Sequence, residues 1–160
     1  MLAVAGIQHR HARAHVLRKE PTLIEEYVKD GTAKLQFRHI LDHGDNSLQA
    51  SSVAECAGQQ GAFWKMHNLL FENQDSLWSA DITYYNDLAA SLNMDLEWFQ
   101  ECMDSGEMQD RVKLIDQEAK AQGIRVRPTF VIIIDGEEVQ RLQGSPTLDQ
   151  WRQTLDSLIQ

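Results

Sequence analysis

Ile124-Arg125-Val126-Arg127-Pro128-Thr129-Phe130-Val131-Ile132-Ile133-Ile134-Asp135-Gly136 is the stretch on which the fold turns. From Thr129 to Ile134 the chain is rich in β-branched residues with no polar alternation, the pattern of a strand covered on both faces. Asp135-Gly136 then gives a strong hairpin signal, because both central residues of the tightest hairpin turn need positive φ. Glu138–Leu142 is the returning strand. Ser145-Pro146 opens a last helix in which Leu148, Trp151, Leu155 and Leu158 share one face. A hairpin followed directly by an amphipathic helix places this end of the chain in an α/β layer.

The other end mirrors it. Leu2–Ile7 reads as a short buried strand, and Arg10 to Val28 as a helix bent at Pro21, where a backbone hydrogen bond is lost. Asp30-Gly31 ends that helix. Ala33–Ile40 alternates like a strand, with Leu35 and Phe37 on one face and Lys34, Gln36 and Arg38 on the other. Between these ends, from Ser47 to Gln122, the pattern is helical, with breaks at Gly58/Gly61, Asn73–Ser79, Asn93 and Ser105-Gly106.

The chain has 160 residues, 42% of them hydrophobic, enough for one compact unit with an inserted lobe. A formal charge of −9 opposes binding to a phosphate backbone and excludes a general nucleic-acid binder. The first 19 residues instead carry +4, from Arg10, Arg13, Arg18 and Lys19 with no acid. An organelle transit peptide is the alternative reading of that segment. No apolar run approaches the roughly 18 residues of a membrane span, and Leu2-Ala3-Val4-Ala5-Gly6-Ile7 is too brief for a secretory signal.

Several separate blocks carry a family resemblance. Pro21-Thr22-Leu23-Ile24-Glu25-Glu26-Tyr27 followed by Leu35-Gln36-Phe37-Arg38-His39 resembles the first helix and second strand of bacterial DsbA-like thioredoxin-fold proteins. Glu55-Cys56-Ala57-Gly58-Gln59-Gln60-Gly61-Ala62-Phe63-Trp64, with Met66-His67-Asn68-Leu69-Leu70-Phe71, is similar to the helical domain inserted in that family. The Ile124–Phe130 block with Asp135-Gly136 resembles its loop, cis-proline and closing hairpin. The resemblance implies an α/β thioredoxin-like fold, residues 1–45 plus 123–160, with an inserted all-helical domain at residues 46–122. It also implies an extracytoplasmic lineage, although the chain as written has no export signal. With the first strand starting at Leu2, the amino terminus is expected to be truncated relative to such proteins.

Counting back from Pro21 through His15, which matches a histidine common in these sequences, puts the two redox positions at His9 and Ala12. The chain reads His9-Arg10-His11-Ala12 where the family carries Cys-x-x-Cys. In a working enzyme the first cysteine sits at a helix amino terminus, where free N–H groups and the helix dipole stabilise the attacking thiolate. Imidazole forms no stable mixed disulfide and Ala12 has no resolving thiol, so exchange by the family mechanism is disfavoured. His9, His11 and His15 make a weak candidate metal site, opposed by the interleaved Arg10 and Arg13. No cofactor is expected.

Cys56 and Cys102 lie in separate predicted helices. The bland reading is two buried thiols. The resemblance implies a structural disulfide, because both positions resemble those that pair outside the catalytic site in some actinobacterial and alphaproteobacterial relatives, given an oxidising compartment. The resemblance likewise implies that Pro128 is the cis-proline facing the redox positions, with Arg127, Pro128 and Thr129 lining the groove for an extended or unfolded polypeptide. Arg127, where relatives more often have Thr or Val, would place a bulky cation beside that groove.

Trp64, Met66, Leu69, Leu70 and Phe71 read as a packed helix face, and Trp78, Trp98 and Trp151 as core or lobe-interface anchors. His39, Asp42 and His43 read as surface turn chemistry. Function then divides three ways. The chain is a disulfide oxidoreductase relative without its redox pair; a non-catalytic polypeptide-binding module; or, ranked last, a relative of the glutathione-using kappa transferases and chromene-carboxylate isomerases, some of which use a Ser that is missing here.

Overall fold

The computed structural model describes residues 2–5 and 10–159, with side chains from residue 12 to 159. The elements run β1 (Leu2–Ala5), α1 (Arg10–Arg18), α2 (Glu20–Leu23), a π-helical turn (Ile24–Val28) and β2 (Phe37–His39). Five α-helices follow, with a 3-10 turn at Ser76–Trp78: α3 (Gly44–Gln59), α4 (Phe63–Glu72), α5 (Ile82–Ser91), α6 (Leu96–Ser105) and α7 (Glu107–Ala121). β3 (Thr129–Ile134), β4 (Glu137–Gln143) and α8 (Leu148–Leu158) close the chain. The four-stranded sheet has the order β2-β1-β3-β4, with β1 parallel to β2 and antiparallel to β3. This is a thioredoxin-like sheet with α3 to α7 placed between β2 and β3.

Sequence explains the joints. Asp135 and Gly136 take φ of 52° and 85°, giving the tight β3–β4 turn its two positive-φ residues. Gly106, at φ 77°, lets α6 pass directly into α7. Thr147 and Gln150 form a capping box that starts α8.

One face of the sheet buries Phe130 and Ile132 against Leu23, Tyr27, Trp151 and Leu155 of the α2 and α8 layer. The other face buries Val131 with Ile40, Ala119 and Ile124 under α7. The largest cluster joins Ala12 and Val16 of α1 to α3, α4 and α5, through residues such as Val53, Met66, Phe71 and Tyr85.

Several sequence expectations need correction. The Arg10–Val28 helix is broken at Lys19, because Pro21 has no N–H to continue the ladder; Pro21 instead occupies the first turn of α2, where that donor is free anyway. The strand expected over 33–40 pairs only at Phe37–His39, since β2 is an edge strand and its one partner, β1, is short. β3 is not covered along its whole length: Ile133 and Ile134 are 39% and 37% exposed, beyond the reach of β1 and at a register shift against β4. Trp64, Trp78 and Trp98 are exposed, whereas Trp151 is fully buried. Met66, Leu70 and Phe71 are buried, so the packed face of α4 is real without Trp64. Finally, α3 begins at Gly44 rather than Ser47.

Among the described residues, no helix is long and apolar enough to cross a membrane.

Candidate functional site

α1 carries Ala12, the position matched to the second redox cysteine. His9, matched to the first, lies outside the described residues, as does the side chain of His11. The Ala12 methyl is fully buried and packs into the helical cluster with Val16. One turn on, His15 points into the sheet face: it is 2% exposed, its ring centroid 4.4 Å from that of Phe130 and 5.8 Å from that of Trp151. Burial, and then the nearby Lys19 charge, push its pKa down to about 4, so it is neutral at pH 7. The candidate three-histidine metal site is therefore not one exposed face, because His15 is committed to the core.

Glu20, at the start of α2, is buried beside the same aromatic cluster, and desolvation raises its pKa to about 7. Composition and spacing gave no sign of this carboxyl.

The contact between His15 and Phe130 brings α1 beside the segment that leads into β3. That segment is held at several points. Thr129 is fully buried and its hydroxyl donates to the Val126 carbonyl at 2.6 Å. The Gly144 N–H donates to the Pro128 carbonyl at 2.8 Å. The Arg127–Pro128 peptide is cis. Arg127 donates to the Arg125 carbonyl at 2.9 Å and forms an ion pair with Asp42 in the turn after β2. Its guanidinium is thus turned back toward the β2 turn. Val126 and Arg125 are the exposed residues of the loop.

Beside Gly144 lies a groove of about 350 Å³ lined by Leu142, Ser145, Pro146, Gln150 and Thr154. Lys19 reaches its rim, donating to Ser145 Oγ at 2.9 Å and to the Pro146 carbonyl at 2.7 Å. In sequence, Ser145-Pro146 signals only the opening of a helix. The wall of the groove is visible only once β4 and α8 are placed together.

The turn after β2 is not loose surface chemistry. His39 is 1% exposed, and its Nε2–H donates to Glu55 at 2.9 Å. Arg111 meets the other Glu55 oxygen at 3.2 Å. Burial alone would raise the Glu55 carboxyl, but His39 and then Arg111 outweigh it and hold the group below the usual carboxylate range. Asp116 accepts from the Leu41 N–H at 2.9 Å and from Lys120 at 2.7 Å. His43 packs edge-on against Trp78 with centroids 4.8 Å apart. These contacts fasten β2 to α3 and α7, and through Asp42 to the Pro128 loop.

Cys56 and Cys102 are joined in a disulfide between α3 and α6, with Cα atoms 5.9 Å apart. The chain has no other cysteine. This bridge belongs to the helical layer and is separate from the α1/β3 face.

A family model described as thioredoxin matches residues 12–157. The chain belongs to the thioredoxin family. Within it, the chain has the fold of DsbA-type proteins. It superposes on alpha-DsbA1 of Wolbachia pipientis with a TM-score of 0.85 at 22% identity, covering 99% of this chain and 84% of that one. It superposes on oxidised BdbD of Bacillus subtilis with a TM-score of 0.83 at 19% identity, covering 99% and 86%. In sequence, this thioredoxin-family chain is 32% identical over 115 residues to a Na(+)/H(+) antiporter, NhaA 3, of Salinispora tropica. That match takes in 71% of this chain, and it spans only 17% of the length of the antiporter.

Proposed function

We propose that this thioredoxin-family chain is a polypeptide-binding module that does not exchange disulfides at its ancestral redox positions. One observation carries the reading: Ala12, at the position matched to the second redox cysteine, is a buried methyl, while both cysteines of the chain are bonded to each other in the helical layer. Exchange needs a thiolate at the site, and neither His9 nor Ala12 supplies one. The parts suited to holding an extended chain are kept. The Arg125–Thr129 segment is fixed at several points, and the groove between β4 and α8 adjoins it through Gly144. Arg127, Pro128 and Thr129, expected from sequence to line the groove, instead hold the loop in place, because Pro128 and Thr129 are buried and Arg127 is tied to Asp42; in this reading the exposed Arg125 and Val126 meet the polypeptide, with residues 46–122 as the inserted lobe. An extracytoplasmic compartment fits the Cys56–Cys102 bridge.

The test uses reduced, carboxymethylated α-lactalbumin, which stays unfolded and offers no thiol. Added to the isotope-labelled protein, it is expected to shift the amide signals of Arg125–Thr129 and of Leu142–Thr154. Unmoved signals in both segments would overturn the reading.

The antiporter match supports a second reading, in which this unit serves as an appendage of a cation/proton antiporter polypeptide. Co-purification of the chain with the membrane part of the Salinispora antiporter would support it, and separation under mild detergent would count against it.

A further inference from the structure

The two ends of the Cys56–Cys102 bridge are unequally covered. Cys56, on α3, is 0% exposed and belongs to the largest apolar cluster, whereas Cys102, on α6, is half-buried at the edge of that cluster. A cleft of about 230 Å³ opens beside Cys102, between the end of α3 and helices α6 and α7. Trp98 and Met108 give it apolar walls, and the exposed Glu101 and Glu107 stand beside them. No lysine, arginine or histidine lines it, and neither carboxylate forms an ion pair with a described residue.

A thiolate attacks a disulfide at one sulfur and expels the other, at a rate set in part by access to the sulfur attacked. It approaches along the S–S axis, from beyond that sulfur. On the Cys56 side this path is closed by the core; on the Cys102 side lies the cleft.

We infer that Cys102 is the sulfur at which a small thiol opens the bridge, and that the cleft favours a cationic thiol over an anionic one. The incoming thiolate sulfur bonds to Cys102 Sγ, the Cys56–Cys102 bond breaks, and its electron pair leaves on Cys56 Sγ. The incoming sulfur is oxidised to a mixed disulfide and Cys56 is reduced. Apolar surroundings disfavour a thiolate, so Cys56 takes a proton from solvent and remains in the core as a thiol. The two unpaired carboxylates repel an anionic thiol and attract an ammonium group, to which Trp98 offers an aromatic face. The inference goes beyond polypeptide binding at the Pro128 loop and stands on separate residues. Opening of this kind is not turnover, because the released Cys56 thiol stays out of reach of a protein disulfide.

The probes are cysteamine, which carries an ammonium group, and mercaptopropionate, which carries a carboxylate, used at equal thiolate concentration. After an acid quench and digestion with pepsin, mass spectrometry follows the bridge. It is expected to open at a rate proportional to thiol concentration and about tenfold faster with cysteamine, a gap that closes in about 1 M salt. The mixed disulfide is expected on the Cys102 peptide. The Glu101→Gln/Glu107→Gln variant should lose the preference for cysteamine with its urea midpoint unchanged, since both side chains are exposed. Single-cysteine proteins give an independent reading of access. The Cys102 thiol left by Cys56→Ser should react with iodoacetamide at least about tenfold faster than the Cys56 thiol left by Cys102→Ser. An adduct on Cys56, equal rates with the two thiols, or a preference kept by the double glutamate variant would each overturn the assignment. So would a bridge that neither thiol opens, a rate independent of thiol concentration, or equal alkylation of the two single cysteines.

Discussion

Glu20 and His15 line one buried pocket, and burial shifts their pKa values in opposite directions. The raised pKa of Glu20, about 7, means the folded chain binds a proton that the unfolded chain releases between about pH 4.5 and 7. Its contribution to stability is therefore present at low pH and lost as pH rises through 7. His15 and His67 are both held down at about 4 by burial, so their contribution is present above pH 6.5 and lost as pH falls toward 4. Replacing Glu20 with Gln isolates one sign. The stability advantage of Glu20→Gln over wild type, from urea unfolding, should grow by about 1–3 kcal/mol between pH 5 and 8. A constant difference would mean that Glu20 ionises normally. At the same scale, the Asp42–Arg127 pair is largely shielded from solvent, with side chains 13% and 21% exposed. Removing one partner leaves the other charge desolvated, so Asp42→Ala should cost about 1–3 kcal/mol and speed amide exchange across Ile124–Thr129. Neither the Glu20 burial nor the Asp42 pairing is legible in sequence, because each depends on elements distant along the chain meeting in space.

At the scale of elements, local signals carried what they encode and no more. Asp135-Gly136 and Ser105-Gly106 marked turns that are present, because positive φ is a property of the residues themselves. The β-type runs at 33–40 and Ile133-Ile134 outrun their pairing with β1, because a strand extends only as far as its neighbours, and β1 is short. The tryptophans divide for a similar reason. Residue type places Trp151, Trp98, Trp78 and Trp64 alike in a core, but only Trp151 faces the sheet, at 0% exposure against 38% for Trp98. Trp151→Ala should cost about 3–5 kcal/mol by chemical denaturation and Trp98→Ala less than about 1. Similar costs would mean that Trp98 is buried in solution. The α3–α6 bridge spans a sequence separation of 46 residues, so opening it enlarges the freedom of the unfolded chain. The Cys56→Ser/Cys102→Ser variant should lose about 2–5 kcal/mol while keeping its far-ultraviolet circular dichroism, since each helix of the lobe is packed by its own apolar face.

Across the whole molecule, the thioredoxin-like sheet and its helical layer are joined by a small set of polar contacts at one end. His39–Glu55–Arg111, Leu41–Asp116 and Asp42–Arg127 all converge on the turn after β2. That turn borders the Pro128 loop, so these contacts tie α3 and α7 to the loop that the His15–Phe130 contact brings beside α1. In sequence, neither His9 nor Ala12 offers a thiol. The central claim is that the chain does not exchange disulfides at His9 and Ala12, and an insulin reduction assay tests it most directly. The unmodified chain should remain at the uncatalysed rate, and the His9→Cys/Ala12→Cys variant should reduce insulin above it. Insulin reduction by the unmodified chain would contradict the account and place the exchanging thiols at Cys56 and Cys102.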